Sequence, residues 1–200
     1  MTEQTAGRRI VTNMSLSLDG HYAGPDNPLD MGWVMPYAVT DVARDHLTGL
    51  WESATTALLG RVNAEGFLGF WPTVIGMEGA DPRDEGFAKW LVDAEKVVLS
   101  STLDEAPWER TTIVDKPTAE LATELKTAEG GDILVLSSAS VIKALLAADK
   151  VDRLALTVFP VFLGGGPRLF DDGLPAEQWS LVSQTAGEHG TLALVYDRVR

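Results

Sequence analysis

Cysteine is absent from this chain, and only three histidines occur among its 200 residues. Without cysteine there can be no disulfide, no thiolate nucleophile and no cysteine-ligated metal, and such a composition fits a cytoplasmic protein. The histidines, His21, His46 and His189, show no metal-ligand spacing to each other or to acidic residues. We therefore expect a cytoplasmic protein without a bound metal.

Basic residues are also scarce. The chain has 16 lysines and arginines against 29 aspartates and glutamates, which gives a formal net charge of −13. A surface of this charge repels nucleic acids and anionic membranes over most of its area. We therefore expect a small-molecule partner, and a ligand that carries phosphate would need a local pocket of basic or amide groups.

Long apolar runs are missing as well. No run approaches the roughly 20 apolar residues that a helix needs to cross a bilayer, and residues 1–9 lack the apolar segment of a signal peptide. Residues 1–7 have the composition of a disordered lead-in. Residues 8–200 are long enough to bury a full core, and we predict that they form one domain.

Segments typical of strands and of helices alternate along the chain. Apolar runs rich in leucine and β-branched residues favour buried parallel strands, and apolar residues at helical spacing lie between them. This order predicts an α/β fold: a three-layer α/β/α domain with a mostly parallel sheet and a C-terminal antiparallel hairpin, turning at residues 187–190. We place strands at residues 10–18, 55–60, 95–101, 132–137, 152–159, 178–186 and 191–199, and helices at 37–53, 61–68, 83–91 and 138–148, with another after Pro117.

Three of these strands stop abruptly at small polar or basic residues. In open α/β sheets, ligands bind in the crevice beyond the carboxyl ends of the strands. One arginine and a set of hydroxyls at such ends predict a site for a phosphate-bearing ligand. The endings are Gly60-Arg61, Ser100-Ser101-Thr102 and Ser137-Ser138.

Each ending also has a plainer interpretation. Arg61 at a helix N-terminus could clamp a phosphate or pair with a surface acid. The hydroxyls of residues 100–102 could bind a ribose or phosphate, or close a turn. The small residues from Ser137 onward would let a diphosphate approach the backbone, but Ser138 is equally an N-cap. No Gly-x-Gly-x-x-Gly follows the first strand, so an ordinary Rossmann domain is not expected.

Two residues that follow the first strand point to a substrate. Asp19 could bind or protonate a substrate in the crevice, or serve with Gly20 as an ordinary turn pair. Among the tryptophans, Trp33 is the one that we expect to stack on a flat substrate. Residues 164–166, three successive glycines, favour a sharp reversal of the chain.

Taken together, residues 14–20, 58–61, 67–72, 98–103, 133–146 and 159–170 match a known pattern. The chain resembles the reductase domain of riboflavin-biosynthesis deaminase/reductase proteins, within the dihydrofolate reductase-like fold, and particularly its stand-alone bacterial members. The resemblance spans about residues 8–199. It implies an NADPH-dependent reductase of a flat heterocycle of the pterin or flavin-precursor kind, with 5-amino-6-(5-phosphoribosylamino)uracil reductase activity as the family's reaction.

The resemblance also implies roles for particular residues. Arg61, Ser100 and Ser101 fall where the fold binds the adenosine 2′-phosphate, and residues 137–141 where it binds the diphosphate. Asp19 and Gly20 fall in the loop over the nicotinamide and substrate, and Thr157 on the strand that lines the pterin. The expected cofactor-binding residues are Gly60, Arg61, Ser100, Ser101, Thr102, Ser137, Ser138, Ala139, Ser140 and Val141; the expected substrate residues are Asp19, Gly20, Trp33 and Thr157, with Asp19 as the catalytic acid.

The sequence departs from the family pattern in ways that leave an alternative open. Ser137-Ser138 stands where a Gly-Gly or Gly-Ser pair is common, Asn63-Ala64 replaces a usual threonine and aromatic pair, and the acidic helix residue of dihydrofolate reductases has no clear counterpart. Activity on dihydrofolate is therefore not expected. The alternative is a nucleotide- or flavin-binding protein of the same fold without reductase turnover.

We also expect a homodimer. This expectation rests partly on the resemblance and partly on a run that is too apolar to be left exposed beside a sheet edge. The run consists of Phe159, Val161, Phe162 and Leu163.

Overall fold

The computed structural model describes residues 7–27 and 31–200, so the expected lead-in lies outside the described residues except for Gly7. Its strands are β1 (Ile10–Ser17), β2 (Ala54–Gly60), β3 (Glu95–Leu99), β4 (Thr111–Val114), β5 (Asp132–Leu136), β6 (Arg153–Phe159), β7 (Trp179–Ala186) and β8 (Leu192–Arg198). They form one eight-stranded sheet in the order β4-β3-β2-β5-β1-β6-β8-β7. All pairings among β1 to β6 are parallel, whereas β8 runs antiparallel to both β6 and β7. The predicted mostly parallel sheet with an antiparallel C-terminal hairpin is confirmed.

Helices cover both faces of this sheet. They are α1 (Met35–Ala38), α2 (Asp41–Trp51), α3 (Arg61–Phe70), α4 (Pro82–Asp93), α5 (Thr118–Thr127) and α6 (Ala139–Ala147), with short 3-10 helices at Gly32–Val34, Trp71–Val74 and Glu188–Gly190. One apolar core joins α5 and α6 to the sheet, and a second joins α2, α3 and α4 to its other face. The result is the predicted three-layer fold. None of the helices described has the length and apolar character required to cross a membrane.

The middle of the sheet shows why the sequence pattern identified it. All five residues of β5 are buried, and the four from Ile133 to Leu136 have no exposed area. A strand with helices over both faces must be apolar on both sides, so it appears as an unbroken run rather than an alternation. β5 lies between β1 and β2, near the centre of the sheet.

Two elements differ from the sequence prediction. The single helix expected at residues 37–53 is divided into α1 and α2 at Thr40, whose backbone is extended (ψ 152°) and whose hydroxyl donates to the Tyr37 carbonyl at 2.6 Å. A threonine hydroxyl competes in this way with helical hydrogen bonds. The edge strand β4 was not predicted, because four partly exposed residues are too few to show a periodicity.

The surface expected to form a dimer is also different in the structure. β6 lies between β1 and β8, so the run that ends this strand is not beside a sheet edge, and that part of the prediction is wrong. Phe159 is 1% exposed and stacks on Tyr37, whereas Phe162 is 77% exposed. One of the two edge strands is β7, which carries no charge and leaves Leu181 and Val182 about half exposed. A cleft of about 370 Å³ between β7, β8 and α2 adjoins it.

We therefore propose that a homodimer forms through β7, by antiparallel pairing of the same strand from two copies across a two-fold axis. Val182→Lys places a charge on this edge and should yield a particle of 21.5 kDa in light scattering at micromolar concentration. Phe162→Lys is the matched control and should remain a dimer. A monomeric unmodified protein, or a dimer disrupted only by Phe162→Lys, would contradict the proposal.

Candidate functional site

The three strand endings singled out in the sequence meet at one edge of the sheet. β3, β2 and β5 are neighbours, and all three are parallel. A Cβ built on Gly60 would stand 3.5 Å from Cγ2 of Val141 and 3.8 Å from Oγ of Ser140. The end of β2 is therefore in contact with the first turn of α6, although the two are about 80 residues apart in sequence. A side chain at position 60 would fill the space between the end of β2 and the first turn of α6.

The Ser138 hydroxyl joins the ends of β2 and β5. It accepts a hydrogen bond from the Gly60 amide at 2.9 Å and donates to the Leu136 carbonyl at 3.0 Å. Ser138 stands at the N-cap position of α6, but its side chain caps no amide of that helix. Ser138 therefore occupies the N-cap position but does not make the hydrogen bond of an N-cap. Its hydroxyl holds the two strand ends together and is not available to a ligand.

Two helices begin at this edge without a side-chain cap. α3 starts after Gly60 and α6 after Ser138, and neither N-cap residue bonds its helix through a side chain. The first amides of a helix have no acceptor within the helix and carry the positive end of its dipole. Two such N-termini on adjacent strands form an arrangement that favours phosphate groups.

Ser137 has a backbone conformation that glycine adopts more easily. Its φ is +46°, in the left-handed region, where a side chain costs about 1–2 kcal/mol. The family's common glycine at this position thus has a physical reason, because the chain must turn sharply between β5 and α6. Serine in place of the common glycine at position 137 therefore leaves the turn in place but with a strained backbone.

Arg61 and the hydroxyls of residues 100–102 are partly used in local structure and partly exposed to a ligand. The Arg61 side chain is 44% exposed at the start of α3 and pairs with Glu65 at 3.1 Å. The Ser100 hydroxyl accepts from the amides of Thr102 and Leu103, so its plain interpretation as a turn residue holds. The side chains of Ser101 and Thr102 are exposed beyond the end of β3.

A polar strip crosses β1 and β6; of its members Thr157 was predicted from the sequence, and Asn13 and Ser15 were not. The hydroxyls of Ser15 and Thr157 are hydrogen-bonded at 2.8 Å across the two strands, and Asn13 lies two residues before Ser15 on the same face. Asn13 and Ser15 are partly exposed although β1 is internal to the sheet, so the helix layer leaves this place open. Polar residues alternating at positions 13, 15 and 17 of an otherwise buried strand were the available signal.

Aromatic rings border this strip. Phe159 follows Thr157 on the same face of β6 and contacts Trp33 edge-on, with ring centroids 5.9 Å apart. The indole Nε1 of Trp33 is buried and has no hydrogen-bond partner among the described residues. Trp33 therefore lies near the predicted substrate residue Thr157 and offers an unused donor, while its stacking on a substrate stays a prediction.

Asp19 connects two loops at the ends of β1 and β6. Its carboxylate accepts from the Ser17 hydroxyl at 2.6 Å and from the amides of Leu163 and Gly164 at 3.2 and 2.8 Å. These donors, the Ser17 hydroxyl foremost, lower the pKa of Asp19 to about 2. A carboxyl group with this pKa is ionised at neutral pH and holds no proton to donate, so the bonding favours the turn interpretation of Asp19 and Gly20 over the catalytic acid.

The Asp19 contacts should make stability depend on pH. Because the folded-state pKa lies below the usual value near 4, the contribution is complete above about pH 4 and is lost as pH falls toward 2. Asp19→Asn should lower the denaturant midpoint of unfolding at pH 7. In acid, the midpoints of the variant and of the unmodified protein should come closer together. A fully stable Asn variant whose turnover falls by roughly 10²–10⁴-fold would instead restore the catalytic interpretation.

Comparison with known proteins agrees with this fold. The family model for the RibD C-terminal domain matches residues 8–193. A proposed riboflavin biosynthesis protein from Shewanella sp. PV-4 superposes with a TM-score of 0.71 at 21% identity, covering 96% of this chain and 99% of that one. A Thermotoga maritima diaminohydroxyphosphoribosylaminopyrimidine deaminase/5-amino-6-(5-phosphoribosylamino)uracil reductase gives 0.65 at 15% identity, covering 96% of this chain and 57% of that one. Enterococcus faecalis dihydrofolate reductase complexed with NADP(H) gives 0.58 at 17% identity, with coverage of 96% and 97%.

The chain thus has a dihydrofolate reductase-like fold. Within that class, the chain belongs to the RibD C-terminal domain family, as its sequence motifs indicated. Two of these three structural relatives, the Thermotoga and Enterococcus proteins, are named as reductases.

Proposed function

We propose that this protein is an NADPH-dependent reductase of a flat heterocycle of the pyrimidine or pterin kind. The observation that carries the proposal is the edge formed by β2 and β5, where two uncapped helix N-termini and the exposed Arg61 lie together. A dinucleotide with a third phosphate matches this set, because amides suit the diphosphate and a guanidinium suits the extra phosphate. Membership of a reductase family supports the same conclusion.

The residues at this edge fit the cofactor individually. The amides of Ala139, Ser140 and Val141 would hold the diphosphate, and the bare Gly60 keeps their surroundings open. Arg61 would hold the 2′-phosphate, with the exposed hydroxyls of residues 101 and 102 near the ribose. When bound, the nicotinamide supplies the hydride.

The substrate would lie over the polar strip of β1 and β6. Asn13, the Ser15–Thr157 pair and the Trp33 indole offer neutral hydrogen-bond donors and acceptors. Asp19, the nearby acid expected to serve the substrate, is bound to its own loops. A neutral lining suits a ring with amide-like carbonyl and N–H edges, such as a uracil. It suits less well a pterin, whose amino group and ring nitrogen pair with a carboxylate. We therefore favour a 5-amino-6-(ribosylamino)uracil type of substrate, with or without its phosphate.

One observation favours the alternative, a nucleotide- or flavin-binding protein without turnover. The lowered pKa of Asp19 argues against this residue as proton donor, and it was the one acid expected to fill that role. In this case the edge formed by β2 and β5 would bind a dinucleotide, but no group at the polar strip would supply the proton that a reduction needs. Binding and turnover must therefore be measured separately.

NADPH oxidation across a panel of uracil, flavin-precursor and pterin substrates tests the proposal. We expect turnover with a ribosylaminouracil, and Thr157→Val should reduce it while leaving the dissociation constant for NADPH nearly unchanged. Thr112→Val on the edge strand β4 makes the same chemical change away from the strip and should have no effect. Tight NADPH binding with no turnover on any substrate would favour the alternative.

Arg61 should distinguish the two nicotinamide cofactors. Arg61→Ala removes a charge-assisted contact that only the 2′-phosphate can use, so the dissociation constant of NADPH should rise by roughly 10- to 100-fold, about 1.5–3 kcal/mol, and that of NADH should change little. Calorimetric titration with both cofactors measures this. Equal losses would show that Arg61 does not read the 2′-phosphate.

A further inference from the structure

Glu65 is the one acidic residue of α3, and it lies one helical turn after Arg61. Both of its carboxylate oxygens accept hydrogen bonds from Nη1 of Arg61, at 3.1 and 3.2 Å. Within the described part of the chain, the Arg61 side chain makes no other hydrogen bond. The Arg61 side chain is 44% exposed, so a ligand arriving from solvent can reach it, but one of its terminal nitrogens is already in use.

A phosphate that approaches the Nη1–Nη2 face of Arg61 must compete with Glu65. Arginine binds phosphate most strongly through two parallel N–H groups, and the carboxylate takes part of that fork. The displaced carboxylate then remains near a doubly charged phosphate and repels it. NADH carries no phosphate on its adenosine ribose, so it can bind while the Arg61–Glu65 pair stays intact.

We propose that Glu65 sets the discrimination between NADPH and NADH by competing with the 2′-phosphate for Arg61. This inference rests on the proposed function. Glu65 lowers the affinity for NADPH without lowering that for NADH, so a neutral residue at position 65 increases the preference for NADPH. An exposed pair three or four residues apart on a helix is weak, and a dianion can therefore displace it.

Glu65→Gln tests the proposal because it removes the charge and keeps the length of the side chain. In calorimetric titrations of the full chain, NADPH should bind about 3- to 10-fold more tightly, and NADH should change by less than about twofold. The gain should shrink as salt is added and should vanish in the Arg61→Ala background. Glu124→Gln is the matched control, because it breaks another exposed ion pair, with Lys116, and changes the net charge equally. It should alter neither constant.

Two results would overturn this inference. Equal gains for NADPH and NADH would show a general effect of charge, and weaker NADPH binding by Glu65→Gln would show that Glu65 orients Arg61 rather than competing for it. Failure of the proposed function is recognised separately, because the unmodified protein would then bind no NADPH before any variant is compared.

Discussion

The edge site depends on the hydrogen bonds that the Ser138 hydroxyl makes to the ends of β2 and β5. This group accepts from Gly60 and donates to Leu136, so the starts of α3 and α6 are held at a fixed separation. Because Ser138 is buried, water does not compete for either bond. Neither helix has a side-chain cap, because Gly60 has no side chain and the Ser138 hydroxyl is used in these bonds, so the first amides stay available for an anion. One side chain thus fixes the framework and keeps the binding groups available.

The opposite side of the crevice is held by Asp19. Its carboxylate joins the loop after β1 to the loop after β6 through the amides of Leu163 and Gly164. Between these two fixed ends, the helix layer leaves Asn13 and Ser15 partly uncovered on an internal strand. Internal strands normally bury their side chains under helices, so this opening is the place that we propose for a flat substrate.

The sequence alone was sufficient for most of the fold because its signals are local. Unbroken apolar runs such as β5 follow from burial on both faces, and the hairpin follows from turn residues between two strands. The edge strand β4 was missed because it is short and partly exposed. The division between α1 and α2 was missed because it depends on one threonine hydroxyl, which apolar periodicity does not register.

The sequence by itself determined the family, the layered α/β fold and the three strand endings of the proposed cofactor edge, because residue type and spacing encode these directly. Tertiary structure alone decided how the polar side chains are used. Ser138 and Asp19 are ordinary turn-region residues in the sequence, and only their distant partners assign one to the framework and the other to a loop clamp. Tertiary structure also buried Phe159 at the end of an internal strand and made β7 one of the two edge strands. Strand order decides both, and it depends on crossovers rather than on local pattern.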